Sequence, residues 1–301
     1  MNNVLITGGT GLIGHELSSL LIKNGYSVSI LSRSNKRNKD QIKYFQWDIN
    51  TGKIDLQAFN NVNYIIHLAG ANIGGHRWTE ARKEELINSR IKSTKLLFDT
   101  VKNNKIELKS FISTSAIGYY GGISSKQILT ENDDNGKDFI GQLCNNWEDE
   151  SLKFESIGIK TAILRNGIVL SNKGGALMKM MKPVKYGINA AIGSGRQYMP
   201  WIHIKDLCKM YIFAIENKLD GIFNAVSPEH ISNYNFSKQL SKSANKPFFM
   251  PNIPAFIMKI LFGEMSIILL EGSKISSQKI INTGFKFEFT SLEECLVDLI
   301  D

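Results

Sequence analysis

The chain has 301 residues, a formal net charge of +8 and a hydrophobic fraction of 43%. This length and composition are ordinary for a globular protein and suffice for one large domain, with or without a smaller one. Cys144, Cys208 and Cys295 are too few and too scattered for a disulfide framework or a zinc site. We therefore predict no metal and a reducing, cytoplasmic location.

The charge and hydropathy patterns indicate which classes of partner the protein can bind. The basic residues are spread along the chain, without a basic helix interleaved with aromatics, which disfavours nucleic acid. The first residues show no positive segment followed by an apolar run, so no secretory signal is predicted. The apolar stretch 253–270 is broken by Lys259, Gly263 and Glu264, so it is unsuited to spanning a membrane. We expect a small-molecule substrate and no membrane partner.

Strand and helix patterns alternate over about the first 170 residues. Apolar runs predict strands at 3–7, 27–31, 64–68, 108–114 and 161–166, and a further strand ending at Trp47-Asp48. Apolar spacing predicts helices at 12–24, 79–103 (as one helix or two), 141–156, 204–217, 235–245 and 254–261. This alternation predicts an α/β fold: a Rossmann-type doubly wound parallel sheet with a smaller C-terminal substrate lobe.

We divide the chain into three predicted parts. Residues 1–170 form the dinucleotide-binding Rossmann core, and residues 171–248 form a mixed substrate-side segment of the same fold. Residues 249–301 form a short C-terminal module, most simply a cap on the edge of the sheet.

A glycine-rich turn links the first predicted strand to the first helix. Gly8 permits a tight turn, Gly11 lets the backbone approach a pyrophosphate, and Gly14 lets the helix pack closely on the strand. The helix N-terminus then offers N–H groups and a positive dipole end to the phosphates. We assign the whole turn to cofactor binding: Gly8, Gly9, Thr10, Gly11, Leu12, Ile13 and Gly14.

The end of the second strand distinguishes NADP from NAD. An NAD site needs an acidic residue for the ribose hydroxyls, about 20 residues after the glycines. Ser32-Arg33 stands there instead, followed by Lys36 and Arg37, and no acid appears before Asp40. Arg33 can bind a 2′-phosphate, so we predict NADP over NAD, with a plain basic surface loop as the alternative.

Two further segments fit a cofactor cleft. Asp48 follows the third strand candidate, where an aspartate can meet the adenine amino group. Leu68, Ala69 and Gly70 end the fourth, with small residues that let the backbone pass beside the cofactor. His67, just before them, is interpreted as packed rather than catalytic.

These features resemble the extended short-chain dehydrogenase/reductase superfamily. The whole chain is most similar to its atypical, epimerase-like oxidoreductases, which carry a short C-terminal module of their own. The matching segments run in order through nearly the whole chain: GGTGLIG at 8–14, LAGANIGGHRW at 68–78, SRIKST at 89–94, STSAIGYYG at 113–121, LCNNWE at 143–148, LRNGIVL at 164–170, GSGRQYMPWIHIKDL at 193–207 and FGEMSIILLEG at 262–272.

The resemblance implies a catalytic Ser, Tyr and Lys. The Lys lowers the Tyr pKa so that the phenol exchanges a proton beside the nicotinamide, and the Ser steadies the substrate oxygen. Ser115 matches the Ser. Counting back from Glu148 places Cys144 at the Lys position and Ile140 at the Tyr position, so both partners are replaced.

Other residues are candidates for the missing roles. Tyr119 or Tyr120 can replace the absent phenol, since both follow Ser115; the alternative is that they only pack there. We also assign Thr114, Arg77 and Arg90 to the cofactor cleft. The resemblance places Arg90 where relatives usually carry an Asn that supports the catalytic helix, and Arg77 can contact phosphate or substrate, with a surface role as the alternative. Further candidates are His203, a second choice for proton transfer if it is not structural, and Arg196, a candidate for a second pyrophosphate without a convincing basic cluster.

Three functions remain open. The first is an NADP-dependent oxidoreductase acting on a small carbonyl or hydroxyl compound. The second is a nucleotide-sugar epimerase or dehydratase. The third is a non-catalytic NADP-binding protein, which the replaced Tyr and Lys make a serious alternative.

Overall fold

The computed structural model describes residues 2–34, 38 and 41–300. Its strands are β1 (Asn3–Thr7), β2 (Ser27–Ser32), β3 (Ile42–Asp48), β4 (Lys53–Ile54), β5 (Tyr64–His67), β6 (Ser110–Ala116), β7 (Ile128–Leu129), β8 (Lys160–Asn166), β9 (Ile168–Leu170), β10 (Trp201–His203), β11 (Gly221–Ala225) and β12 (Lys274–Ile275). Its α-helices are α1 (Leu12–Lys23), α2 (Glu80–Asn103), α3 (Phe139–Leu152), α4 (Gly175–Lys185), α5 (Ile204–Glu216), α6 (Asn233–Ser243), α7 (Ala255–Phe262), α8 (Ile267–Leu270), α9 (Gln278–Asn282) and α10 (Leu292–Ile300).

In the described part of the chain, eight strands form one sheet in the order β11-β8-β6-β5-β1-β2-β3-β4. Every neighbouring pair is parallel except β3 with β4. The chain moves outward from β1 through β2 and β3, then returns to the other side of β1 with β5. Ligands of such sheets bind at this switch point, outside the carboxyl ends of the strands.

Helices cover both faces of the sheet because the strands are apolar on both sides. Val4 and Ile6 of β1 belong to the cluster that α1 and α5 complete, whereas Leu5 belongs to the cluster that α2 completes. Alternation along a strand sends successive side chains to opposite faces, so each face has its own core. The predicted α/β class and doubly wound sheet are confirmed.

The predicted elements lie close to the observed ones, with instructive differences at their ends. The segment 79–103 is a single helix, α2, capped by Thr79, whose side chain accepts from the N–H of Arg82. Helix α3 begins before the predicted 141 because the Asp138 side chain accepts from the N–H of Gly141. It also ends earlier than predicted, since Lys153–Ile157 continues as a 3-10 helix.

The C-terminal part does not build a core of its own. Phe285 packs into the α1–α5 face, Leu292 and Leu296 pack with α4 and α6, and Met265 packs beside α3. Strand β12 also pairs with β7, which belongs to the Rossmann part. The module predicted at 249–301 therefore joins several parts of the molecule. In the described residues, no helix is both long and apolar enough to cross a membrane.

Candidate functional site

The glycine turn between β1 and α1 is shaped by close backbone contacts. Gly8 has φ +67°, and a Cβ built on it would lie 2.8 Å from the carbonyl carbon of Leu68. A Cβ at Gly14 would lie 2.5 Å from the carbonyl oxygen of Gly8. Gly11 is the N-cap of α1 and provides no side-chain cap. The first turn of α1 therefore keeps N–H groups available for an anion, as a pyrophosphate cradle requires.

The segment after β5 lies directly against this turn. The N–H of Leu68 donates to the carbonyl of Thr7 at 3.1 Å, and the N–H of Ala69 donates to the Thr7 hydroxyl at 3.2 Å. His67 is fully buried, and its Nδ1 pairs with the same hydroxyl at 2.6 Å. Burial lowers the pKa of His67 to about 3, so this histidine is a neutral packing residue, as interpreted from the sequence.

The basic residue predicted to select NADP lies at the end of β2. Ser32 is buried and shares a hydrogen bond with the Ser34 hydroxyl at 3.3 Å. Arg33 is exposed, and within the described residues no hydrogen bond or ion pair holds its guanidinium. Lys36, Arg37 and Asp40, which follow Arg33 in the chain, lie outside the described residues.

Asp48 lies at the end of β3, farther along the sheet edge. Its carboxylate accepts from the N–H of Asn50 and from the Thr51 hydroxyl, each at 2.9 Å. These hydrogen bonds lower the pKa of Asp48. Asp48 also lines an open groove of about 970 Å³ between the β3–β4 hairpin and α2. No residue of the glycine turn lines that groove, so we do not assign it to the dinucleotide.

At the end of β6, Ser115 is committed to a buried carboxylate. Its hydroxyl donates to Glu148 at 2.6 Å, and the Arg165 guanidinium binds the same carboxylate through two hydrogen bonds of 2.9 and 2.8 Å. Arg165 is only 1% exposed and Glu148 only 3%. Thr114 lies beside this pair and accepts from the Asn166 amide at 2.6 Å.

The two tyrosines after Ser115 have different surroundings. Tyr120 is 2% exposed; its hydroxyl donates to Asn224 at 2.7 Å and accepts from Arg165 at 3.0 Å. Burial raises the pKa of Tyr120 to about 12. These contacts favour the alternative that Tyr120 packs in the core, because its hydroxyl both donates and accepts a hydrogen bond there. Tyr119 is only half-buried, with the guanidinium of Arg165 3.3 Å from its ring centroid.

The residues at the expected Tyr and Lys positions form an apolar surface. Ile140 and Cys144 are buried on α3, in a cluster completed by Trp78 and Met265. A Cβ on Gly118 would lie 2.7 Å from the Ile140 side chain, so this loop packs tightly onto the helix. Burial raises the pKa of Cys144 to about 12, which keeps it a neutral thiol. Neither position carries the phenol or the amine that the resemblance implied.

Two arginines were expected in the cleft. Arg90 donates to the carbonyls of Leu86 and Ala71, both at 3.1 Å, and lies 5.0 Å from the ring centroid of Trp147. A Cβ on Gly70 would be 3.2 Å from its guanidinium carbon, so Arg90 flanks the segment after β5. Arg77 is exposed and lies against Gly263 of the C-terminal part.

His203 serves the C-terminal lobe. Its Nε2 lies 3.1 Å from the Asp298 carboxylate, its Nδ1 accepts from the N–H of Lys205, and its ring stacks on Phe289 at 3.9 Å. Burial lowers the pKa of His203 to about 4. These contacts fix α10 against the start of α5, and they favour the structural interpretation over proton transfer.

Sequence reasoning missed the Glu148–Arg165 ion pair. A signal was present, because Arg165 directly follows the apolar run AIL of a predicted buried strand and Glu148 lies in the matching segment LCNNWE. A charged side chain in a fully buried strand calls for an opposite charge nearby. The sequence alone did not give the spatial pairing of the two.

Known proteins match both the Rossmann part and the C-terminal part of the chain. The profile of the NAD dependent epimerase/dehydratase family matches residues 4–225, and that of a domain of unknown function (DUF1731) matches residues 253–299. The Epimerase family protein YfhF of Bacillus subtilis (strain 168) is 33% identical over 300 residues, which cover 99% of this chain and 98% of that protein.

Solved structures share the fold of this chain. Human epimerase family protein SDR39U1 (isoform 2), crystallised with NADPH, has a TM-score of 0.89 at 30% identity and covers 99% of this chain and 98% of its own. UDP-glucuronic acid 4-epimerase from Bacillus cereus, in complex with UDP-glucuronic acid and NAD, has a TM-score of 0.78 over 98% of this chain and 96% of its own. At 19% identity that likeness shows the fold alone.

The switch-point cleft and its glycine cradle define a Rossmann-type nucleotide-binding protein. The chain belongs to the NAD dependent epimerase/dehydratase family and carries the DUF1731 segment at its C-terminal end. The predicted membership of the atypical, epimerase-like branch is thereby confirmed.

Proposed function

We propose that the protein is an NADP-dependent oxidoreductase of the atypical short-chain dehydrogenase/reductase type, acting on a small carbonyl or hydroxyl compound. The observation that carries the proposal is the cradle at Gly8–Gly14 followed by the exposed Arg33 at the end of β2. The contact of Gly14 with Gly8 leaves no room for side chains where the backbone must approach a pyrophosphate. The likeness to a protein crystallised with NADPH supports the choice of NADP.

Cofactor preference follows from the chemistry of one side chain. A guanidinium binds a phosphate through parallel, charge-assisted hydrogen bonds, whereas the ribose 2′-hydroxyl of NAD is best bound by a carboxylate. Arg33 has no partner among the described residues, so binding a 2′-phosphate breaks no ion pair within that part of the chain. Ser32 would add a hydroxyl at the same strand end.

On the reacting side, we propose Tyr119 rather than Tyr120 as the phenol that faces substrate. NADPH supplies a hydride when bound, and the chain must then hold the substrate oxygen and provide a proton. Tyr119 is partly exposed shortly after the end of β6, and the Arg165 guanidinium lies 3.3 Å from its ring centroid, which fixes the ring at the edge of the buried network. Ser115 positions Glu148 and Arg165 beneath that ring.

A titration of purified protein with NADPH and NADH, followed by nicotinamide fluorescence, tests the cofactor assignment. We expect NADPH to bind at least ~10-fold tighter than NADH, because a charge-assisted phosphate contact is roughly twice as strong as a neutral one. Arg33→Ala should lower that ratio about tenfold and leave NADH affinity unchanged. Lys23→Ala, at an exposed basic residue on α1, is the matched control. Equal binding of both cofactors by the unmodified protein would refute the assignment.

A specific observation also favours a second candidate, a non-catalytic NADP-binding protein. Ser115 is tied to Glu148, and Ile140 and Cys144 supply neither a phenol nor an amine. Redox cycling with a panel of aldehydes and ketones separates the two functions: a fall in NADPH absorbance at wild-type Tyr119 that is lost in Tyr119→Phe supports the oxidoreductase. Tight binding with no turnover supports the second candidate. Cofactor that stays bound while a nucleotide sugar turns over would instead indicate an epimerase.

A further inference from the structure

Three arginines surround the loop between β5 and α2, and their partners differ. Arg82 forms an ion pair with Glu85 and donates to the carbonyl of Asn72. Arg77 is exposed at the rim. Arg90 is partly buried and bonded only to carbonyl groups, so within the described residues it is a cation without a carboxylate partner.

A partly buried cation without a carboxylate partner is unfavourable for folding stability. Taking a charge out of water costs several kcal/mol unless it is paired, and the usual compensation is a carboxylate or a bound anion. Burial, followed by repulsion from Arg82, lowers the pKa of Arg90 to about 10, yet this value still leaves the guanidinium charged at neutral pH. Two of the five N–H donors of a guanidinium are used on carbonyls, so three remain for a ligand.

The position of Arg90 places these donors beside the reacting part of the cleft. The guanidinium lies against Gly70, which follows β5 at the switch point, and against Trp147 of α3. It also acts electrostatically on Cys144, the residue at the expected Lys position. A positive charge is therefore present on this side of the cleft although the Lys is not.

The rim of the same loop is also positive. Lys179 of α4 donates to the carbonyl of Gly74 at 3.1 Å, and Arg77 is exposed close by in the chain. Of the acidic side chains around this loop, Glu85 pairs with Arg82 and both Glu80 and Glu264 pair with Lys83, while Glu84 accepts a hydrogen bond from Asn88 at 3.4 Å. Cations thus lead from the rim inward to Arg90, which favours entry of an anion.

We propose that Arg90 binds the carboxylate of the substrate, so that the substrate class is a small hydroxy or oxo acid. This inference rests on the proposed oxidoreductase function. A planar guanidinium with free donors matches a carboxylate in geometry as well as in charge. The shared chemistry, an anionic oxygen pair, also occurs in the phosphates of the cofactor, and the experiment separates these two sources.

The test uses NADPH-loaded full-length protein and three acids, pyruvate, phenylpyruvate and benzoate, each compared with its uncharged amide. Binding is measured as quenching of NADPH fluorescence and as a rise in the thermal unfolding midpoint. We expect at least one acid to bind ~10-fold tighter than its amide. Arg90→Gln should abolish that preference, and Arg90→Lys should keep part of it. Lys92→Gln removes an exposed charge from the same helix and should change nothing.

Four other outcomes decide against the proposal, and two further controls keep it testable. The proposal is overturned if no acid binds, or if the acids bind no better than their amides. It is also overturned if the preference for the acid survives in Arg90→Gln. A loss of NADPH affinity in Arg90→Gln with unchanged acid preference assigns the residue to the cofactor. If the wild type does not take up NADPH, the proposed function fails; acid preference in thermal shifts of the free protein, lost in Arg90→Gln, would still support Arg90. Should Arg90→Gln not fold, the reduced preference of Arg90→Lys decides.

Discussion

The two halves of the cleft are built on different principles. The cofactor half consists of backbone: Gly8 and Gly14 approach neighbouring main-chain atoms so closely that no side chain fits. The reacting half consists of side chains: Ser115, Glu148 and Arg165 form a buried network where relatives of the superfamily are expected to carry out proton transfer. A backbone cradle tolerates change around it, whereas a constellation of side chains changes its chemistry when single residues are replaced.

The reacting half combines an apolar surface with a buried ion pair. Ile140 and Cys144 stand at the positions where the resemblance implied a phenol and an amine, and Arg165, paired with Glu148, contacts both tyrosines. The backbone cradle therefore indicates which kind of ligand is bound, whereas the reaction depends on the side chains of the other half.

The largest expected effect comes from breaking the ion pair with Arg165→Met. It leaves Glu148 as a buried charge that retains only the Ser115 hydroxyl, and it removes the donor to the Tyr120 hydroxyl. We expect a loss of about 3–5 kcal/mol in the free energy of unfolding, measured by urea denaturation. Lys160→Met, at the exposed start of the same strand, is the control and should change stability by less than about 0.5 kcal/mol. A similar stability of the two variants would show that the pair contributes little.

A smaller effect is expected from Gly14→Ala in the cofactor half. Its Cβ would lie 2.5 Å from both the Gly8 carbonyl oxygen and the Gly9 Cα, so the turn must shift away from its cradle geometry. NADPH affinity should fall by about 10- to 100-fold, or about 1.4–2.8 kcal/mol. Gly74→Ala is the control, since a Cβ there meets nothing closer than 3.9 Å. Unchanged NADPH affinity in Gly14→Ala would show that the backbone cradle accommodates a side chain, and that the two halves of the cleft do not differ in this respect.

The sequence alone was sufficient for the fold and for the location of the cofactor half. The run NVLIT followed by glycines and an apolar helix predicts β1, the turn and α1 to within a residue, because these features depend on local spacing and on glycine geometry. Element ends were less predictable: α3 starts at 139 and not 141 because a side-chain cap at Asp138 decides its first residue.

The contacts of the reacting half could not be predicted from local sequence patterns. Counting from Glu148 identifies Ile140 and Cys144 as replacements, yet Glu148 and Arg165 are 17 residues apart and meet only through the packing of α3 on β8. The same holds for Tyr120 and Asn224, which are 104 residues apart. Partners of this kind depend on the tertiary fold, so the sequence could place a phenol near the cleft without revealing that its hydroxyl is occupied.

The smallest expected effect, and the sharpest test of the reacting half, is Tyr120→Phe. The variant loses a hydroxyl that bridges Arg165 and Asn224, so stability should fall by about 1–2 kcal/mol. NADPH affinity and any turnover should stay within about twofold of wild type, because a fully occupied hydroxyl in the core cannot exchange a proton with substrate. Tyr119→Phe is the matched variant, with a ring in contact with the same guanidinium but partly exposed, and it should lose turnover with little change in stability. If Tyr120→Phe abolishes turnover while Tyr119→Phe keeps it, the phenol belongs to the buried network after all, and the ion pair beneath it is the device that tunes its proton.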